Sequence, residues 1–172
     1  MDQDNSGKAE WLRSAIERFE SPLTRYAASL TGDAEGARDV VQDTFVRLCG
    51  QSPAQLNGCL AEWLFTVCRH RALDVRRKES RMTSLTDMDL ETEAAEGPTP
   101  AMAAERKEST GEMLRLVATL PHNQQEVVRL KFQGGLSYEE ISRVTKLSVG
   151  NVGFLLHTAL KTLRVKMQAS QA

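Results

Sequence analysis

The stretch ATLPHNQQEVVRLKFQGGLSYEEISRVTKLSVGNVGFLLHTALKTLR, residues 118–164, decides the fold. Ahead of it Met113, Leu116, Val117 and Leu120 recur at helical spacing, and Pro121 ends that helix. Asn123 followed by Glu126 resembles a capping pair for a helix through Val127, Val128, Leu130 and Phe132, which Gly134-Gly135 stops. Ser137-Tyr138-Glu139-Glu140 is a capping box that opens a short helix carrying Ile141 and Val144 inward. After Lys146-Leu147, Ser148 caps a last helix whose buried stripe is Val152, Leu156, Ala159 and Leu163. Two capped helices across a tight turn, the second longer and polar outside, make a helix-turn-helix. At 100° per residue Phe154, His157 and Lys161 lie opposite the buried stripe, where such a helix meets the major groove. A plain helical hairpin in a bundle gives the same pattern, so function is still open here.

Upstream, TSLTDMDLETEAAEGPTP (residues 83–100) has little that builds a core, and Gly97, Pro98 and Pro100 resist regular structure, so it reads as a linker. Before it the periodicity is again helical. Trp11, Leu12, Ala15, Ile16 and Phe19 form one stripe. Ser21-Pro22 reads as an N-cap with proline at the first helical position, starting a second helix with Leu23, Tyr26, Ala27 and Leu30 inward. Thr31-Gly32-Asp33 closes that helix and caps a third. There Val40, Val41, Thr44, Phe45 and Leu48 share one face, and Asp39, Gln42, Asp43 and Val46 the opposite one. Residues 50–59 (GQSPAQLNGC) read as a loop. A fourth helix follows with Leu60, Trp63, Leu64 and Val67 inward and Phe65, Arg69 and Arg76 on its far side. The fold expected is all-α, two small helical domains joined by a flexible acidic linker.

Composition bounds the function. The 172 residues are 41% hydrophobic, as in ordinary globular proteins. No run approaches the roughly 20 apolar residues of a membrane span, and the polar start lacks a signal-peptide layout, so a cytoplasmic protein is expected. Cys49, Cys59 and Cys68 lack metal-site spacing and sit among apolar neighbours, where buried thiols are expected. No nucleophile-elbow, P-loop or HExxH motif occurs, and neither an enzyme nor a metal or other cofactor is expected. The formal net charge of -1 hides an uneven distribution: residues 1–81 balance, residues 82–104 carry five acids and no base, and residues 105–172 carry ten bases against six acids. Residues 69–81 alone hold six bases against two acids. Such a local stripe binds phosphate even on a chain that is neutral overall.

Three segments in order, DAEGARDVVQDTFVRL (33–48), AEWLFTVCRHRALDVRRKESR (61–81) and the helix-turn-helix, with the acidic stretch before the last, strongly resemble an extracytoplasmic-function sigma factor of bacterial RNA polymerase. The resemblance implies a region 2-like domain over 8–81, a linker over 82–110 and a region 4-like domain over 111–168. It implies core RNA polymerase and promoter DNA as partners, with an anti-sigma factor as a further possible one, and no membrane insertion. Residues matching Asp39-Val40-Val41-Gln42-Asp43 would bind the clamp helices of the polymerase's largest subunit, with Val46 on the same face. The fourth helix would recognise and melt the -10 element, with Arg69, Arg71, Arg76, Arg77 and Lys78 on phosphates. Phe65, His70 and the loop at 50–59 would meet an unstacked base. Trp63 is assigned to the core. In the last helix Ser148, Gly150, Asn151, Phe154, His157 and Lys161 would face the -35 element. Two departures stand out: His70 where many relatives have asparagine, and Gly153, Leu155 and Thr158 where relatives commonly have basic residues. A sigma mimic that binds an anti-sigma factor without reading DNA, and a stand-alone helix-turn-helix repressor, are the competing readings.

Overall fold

The structure, a computed structural model, describes residues 2–86 and 106–170, with side chains over 6–83 and 111–170. It is all-α, without a strand among the described residues. The chain divides into two compact units, Met1–Ala95 and Glu96–Ala172.

In the first unit α1 (Asp2–Thr31), α2 (Ala34–Cys49) and α3 (Leu60–Thr86) pack against one another. The stretch expected to form two helices is one, with Pro22 inside it. The reason is visible in spacing: Ala15, Phe19, Leu23, Tyr26 and Leu30 are all buried, a stripe that passes Pro22 without a phase break. Continuous burial outweighs the single backbone bond that proline forfeits. Gly32, at φ +75°, turns the chain out of α1, and the Asp33 carboxylate accepts from Glu35 N and Gly36 N at 3.2 and 2.7 Å to start α2. Ala37, Val40, Val41, Thr44 and Leu48 are its buried face.

The rotation of α3 differs from expectation. Its buried residues are Leu64, Phe65, Cys68 and Ala72, while Trp63 and Val67 are half-buried. Two apolar stripes overlap in this sequence. The one through Ala61, Leu64, Phe65, Cys68 and Ala72 is longer, and it meets α1, where the Phe65 ring packs edge-on against Tyr26 at 5.3 Å. Phe65 is therefore a core residue, fully enclosed, and its assignment to DNA is withdrawn. Helix also runs further than the sequence suggested at both ends of the expected linker, to Thr86 and from Arg106. The rest of that stretch, residues 87–105, lies outside the described residues.

In the second unit α7 (Val149–Ser170) packs on α4 (Arg106–Ala118), α5 (His122–Phe132) and α6 (Tyr138–Thr145). The expected Asn123 cap of α5 is absent. The helix starts at His122 behind Pro121 without a side-chain cap. Gln125 instead reaches back to the carbonyls of Ala118 and Leu120 at 3.0 and 2.8 Å, occupying acceptors of the preceding turn. The Ser137 capping box of α6 is complete, with Glu140 N on Ser137 Oγ and Ser137 N on the Glu140 carboxylate. Lys146 then takes the left-handed conformation (φ 63°) that turns the chain into α7. Ser148 Oγ accepts from Asn151 N at 3.2 Å. Val152, Leu155, Leu156, Ala159 and Leu163 are the buried face of α7.

Candidate nucleic-acid and polymerase interfaces

The first unit leaves two surfaces that its core does not need, on α2 and on α3, and the second leaves one, on α7. On α2, Asp39, Gln42 and Val46 are exposed on adjoining turns, and Val46 stands 66% open. Asp43 borders them but is half-covered, because Arg71 on α3 donates to its Oδ2 through Nε at 3.1 Å and also through Nη2. Two residues assigned to different partners are thus partners of one another. Behind the pair Thr44 and Cys68 meet in the buried seam between the two helices. Burial pushes the Cys68 thiol up to about 12, the Thr44 hydroxyl opposing it weakly. The expectation of three buried thiols holds for Cys68 alone: Cys59 is half-buried and Cys49 exposed. No group of three His, Cys, Asp or Glu side chains set for a metal ion occurs among the described residues.

Beyond Ala72 only Leu73 and Val75 among the described residues of α3 are half-buried, and every residue from Arg76 to Thr83 is exposed. Arg76, Arg77, Lys78 and Arg81 are all exposed there, and the 3.8 Å contact of Arg77 with Asp74 is too open to neutralise the cluster. Arg69 is half-buried; His70 is exposed. Once α3 is turned so that Phe65 is inside, Trp63, His70 and Arg77 follow one another at seven-residue intervals on the outer side. The sequence reading missed Trp63 on this face. Its signal was present in the second stripe, whose centre lies opposite.

The loop between α2 and α3 is tied down locally. Ser52 N binds Gln55 Oε1 at 3.1 Å, Leu56 is buried, and Gly58 turns the chain at φ +78°. With Trp11 of α1 it walls an open cleft of about 470 Å³, also lined by Pro53, Asn57 and Leu60. Trp11, which spacing places on the inward stripe, is half-buried at the edge of this cleft.

On α7 the residues Gly150, Asn151, Phe154, His157 and Lys161 are exposed along one side, with Ser148 exposed at its cap. Phe154 is 66% open. A Cβ added at Gly150 meets nothing within 4 Å, which means that the fold itself does not require glycine there. Of the positions where relatives are commonly basic, Leu155 belongs to the core, Thr158 binds its hydroxyl to the Phe154 carbonyl at 2.9 Å, and Gly153 lies under the Tyr138 ring. Lys131 Nζ lies 5.3 Å from the centre of that ring and donates to the Leu136 carbonyl.

Comparison with known proteins gives this arrangement a family. Residues 15–82 match the model of Sigma-70 region 2 and residues 110–163 that of Sigma-70, region 4. The chain is 30% identical over 150 residues to the ECF RNA polymerase sigma factor EcfG of Rhodopseudomonas palustris, covering 82% of this chain and 76% of that one. It is 29% identical over 171 residues to ECF RNA polymerase sigma factor SigL of Mycobacterium tuberculosis, covering 95% and 92%. In fold it is similar to the sigma factor RpoE crystallised with the anti-sigma factor NepR from Bartonella quintana, at a TM-score of 0.69 and 21% identity over 92% of this chain and 97% of that one. With regions 2 and 4 matched in order on two helical units, the chain belongs to the ECF RNA polymerase sigma factors.

Proposed function

We propose that this sigma factor selects promoters through three surfaces: the α2 face of Asp39, Gln42 and Val46 for core polymerase, α3 for the -10 element, and α7 for the -35 element. Residues 8–81 and 111–168 are the corresponding domains. The observation that carries the reading is the bare basic end of α3. Four exposed cations lie on a stretch of helix that buries nothing, their only ion pair among the described residues is the open Arg77–Asp74 contact, and an array of that kind holds phosphates. The charge belongs where a duplex is opened, because melting needs cations on the backbone and a surface for the unstacked base. His70 and Trp63, together with the cleft under the 50–59 loop, offer that surface. The chain supplies no catalytic group; nucleotide addition belongs to the polymerase, in the cytoplasm. No helix among the described residues is long and apolar enough to cross a membrane. An anti-sigma factor is a further partner, supported by the relative seen with one.

The test is the salt dependence of promoter binding by the holoenzyme. Replacing Arg76, Arg77 and Lys78 by alanine removes up to three phosphate contacts, and each one lost lowers the slope of log affinity against log salt by about 0.9. A slope equal to the parent's means that the cluster is only solvated and that α3 does not carry the duplex.

A further inference from the structure

We propose that the Asp43–Arg71 pair is a strut that fixes the rotation of α3 on α2, so that Arg71 acts on the promoter by positioning His70 and the Arg76–Lys78 cluster and Asp43 by holding Arg71. The proposal rests on the reading of α2 as the polymerase-docking helix and α3 as the -10 helix. Three observations carry it. Arg71 sends both Nε and Nη2 to one carboxylate oxygen 28 positions away in the chain, a two-donor geometry that fixes the guanidinium plane and not merely its charge. Its side chain is 26% exposed, whereas Arg76, Arg77 and Lys78 are all open to solvent, so Arg71 is not disposed like the phosphate-binding cations. The pair also lies at the rim of the Thr44–Cys68 seam. Packing of Phe65 on Tyr26 chooses which stripe of α3 turns inward, and the pair bears on the angle of α3 from the α2 side. An ion pair between the two helices adds a directional constraint to that packing.

The consequence lies downstream on α3. His70 adjoins Arg71, and Arg76 to Lys78 follow within two turns on a stretch of α3 that is exposed throughout from Arg76 to Thr83. A few degrees of rotation at Arg71 therefore become displacements of the whole projecting end. Fixing that angle from α2 registers the DNA-facing groups to the helix that docks on polymerase.

The experiment uses full-length protein in holoenzyme and reads three quantities: affinity for core polymerase, permanganate reactivity of thymines in the -10 element, and the melting temperature. Asp43→Ala and Arg71→Ala should each lower permanganate reactivity about fivefold and the double alanine variant no further, as for two groups acting through one interaction. Asp43→Arg with Arg71→Asp rebuilds the pair in reverse and should recover most of the reactivity. Melting temperatures should fall far less than reactivity does, since an ion pair that is still partly open to water adds only modestly to stability. A reversed pair as inactive as Arg71→Asp alone would make Arg71 a direct DNA contact and overturn the strut. So would loss of core affinity in Asp43→Ala but not in Arg71→Ala, which would make Asp43 a polymerase contact. Loss of reactivity only in step with melting temperature would reduce the pair to a stability element. Asp39→Arg and the Arg76/Arg77/Lys78 alanine variant serve as controls: if neither changes core affinity or promoter binding, the surface assignments fail, and the strut fails with them.

Discussion

Phe65 and Trp63 stand two residues apart on α3, and the structure exchanges the places their spacing suggested. Phe65 is enclosed against Tyr26 and Trp63 is half-open. Both residues fit an apolar stripe when the sequence is taken alone, and only the partner surface on α1 decides which stripe turns inward. Phe65→Ala should therefore cost about 3–5 kcal/mol of stability, the usual range for a buried aromatic cut to a methyl, measured as a loss in urea unfolding. Stability close to the parent's would place the ring outside the core. Cys68 makes a second residue-scale prediction. Its folded thiol is raised from the ordinary 9.0 to about 12, so both states are protonated below 9.0 and burial then has no ionic cost. Between 9.0 and about 12 the unfolded thiol ionises while the folded one does not, and stability should fall as pH rises through that window. Cys68→Ala should remove this component of the alkaline limb when the two unfolding curves are compared.

At the scale of elements, most of the architecture was legible from capping and period. The Asp33 and Ser137 caps, the Lys146 turn region and the α7 stripe lie where local chemistry put them, since each depends on residues within one turn of one another. What failed depended on contacts beyond a single turn: the continuity of α1 through Pro22, the start of α5, and the rotation of α3. The outer face of α7 adds a test that separates folding from binding. Gly150 is in the first turn of a helix, exposed, with open space where a side chain would go. For folding alone alanine is the better residue, by up to about 1 kcal/mol. If glycine serves close approach of the backbone to the -35 element, Gly150→Ala should raise the melting temperature and weaken promoter binding together. A rise in both would show that the DNA keeps its distance from this turn.

For the whole molecule, the legible part of the site was its division of labour, and the illegible part was the pairing across helices. Spacing alone put Phe154 and His157 on the outside of α7 and Asp39 on the outside of α2, but Asp43 and Arg71 were given to different partners because nothing local links positions 28 apart. The two units offer a last prediction about how DNA selection is divided. His70 stands on α3, which packs with α1 and α2; Phe154 stands on α7, which packs with α4, α5 and α6. Each side chain is exposed, so neither substitution should disturb the core behind it. His70→Asn should then shift base preference within the -10 element only. Phe154→Ala should relax one or two thymine positions of the -35 element, where its ring meets the methyl group, at about 1–3 kcal/mol per lost contact. Residues with no common packing partner contribute independently, so the double variant should lose the sum of the single losses to within roughly 0.5 kcal/mol. Selection from a promoter library randomised in both elements, with binding measured for parent, singles and double, decides it. A -35 preference altered by His70→Asn, or a double loss well away from the sum, would mean that the two readings are coupled through the polymerase or the DNA and not made separately by the two units.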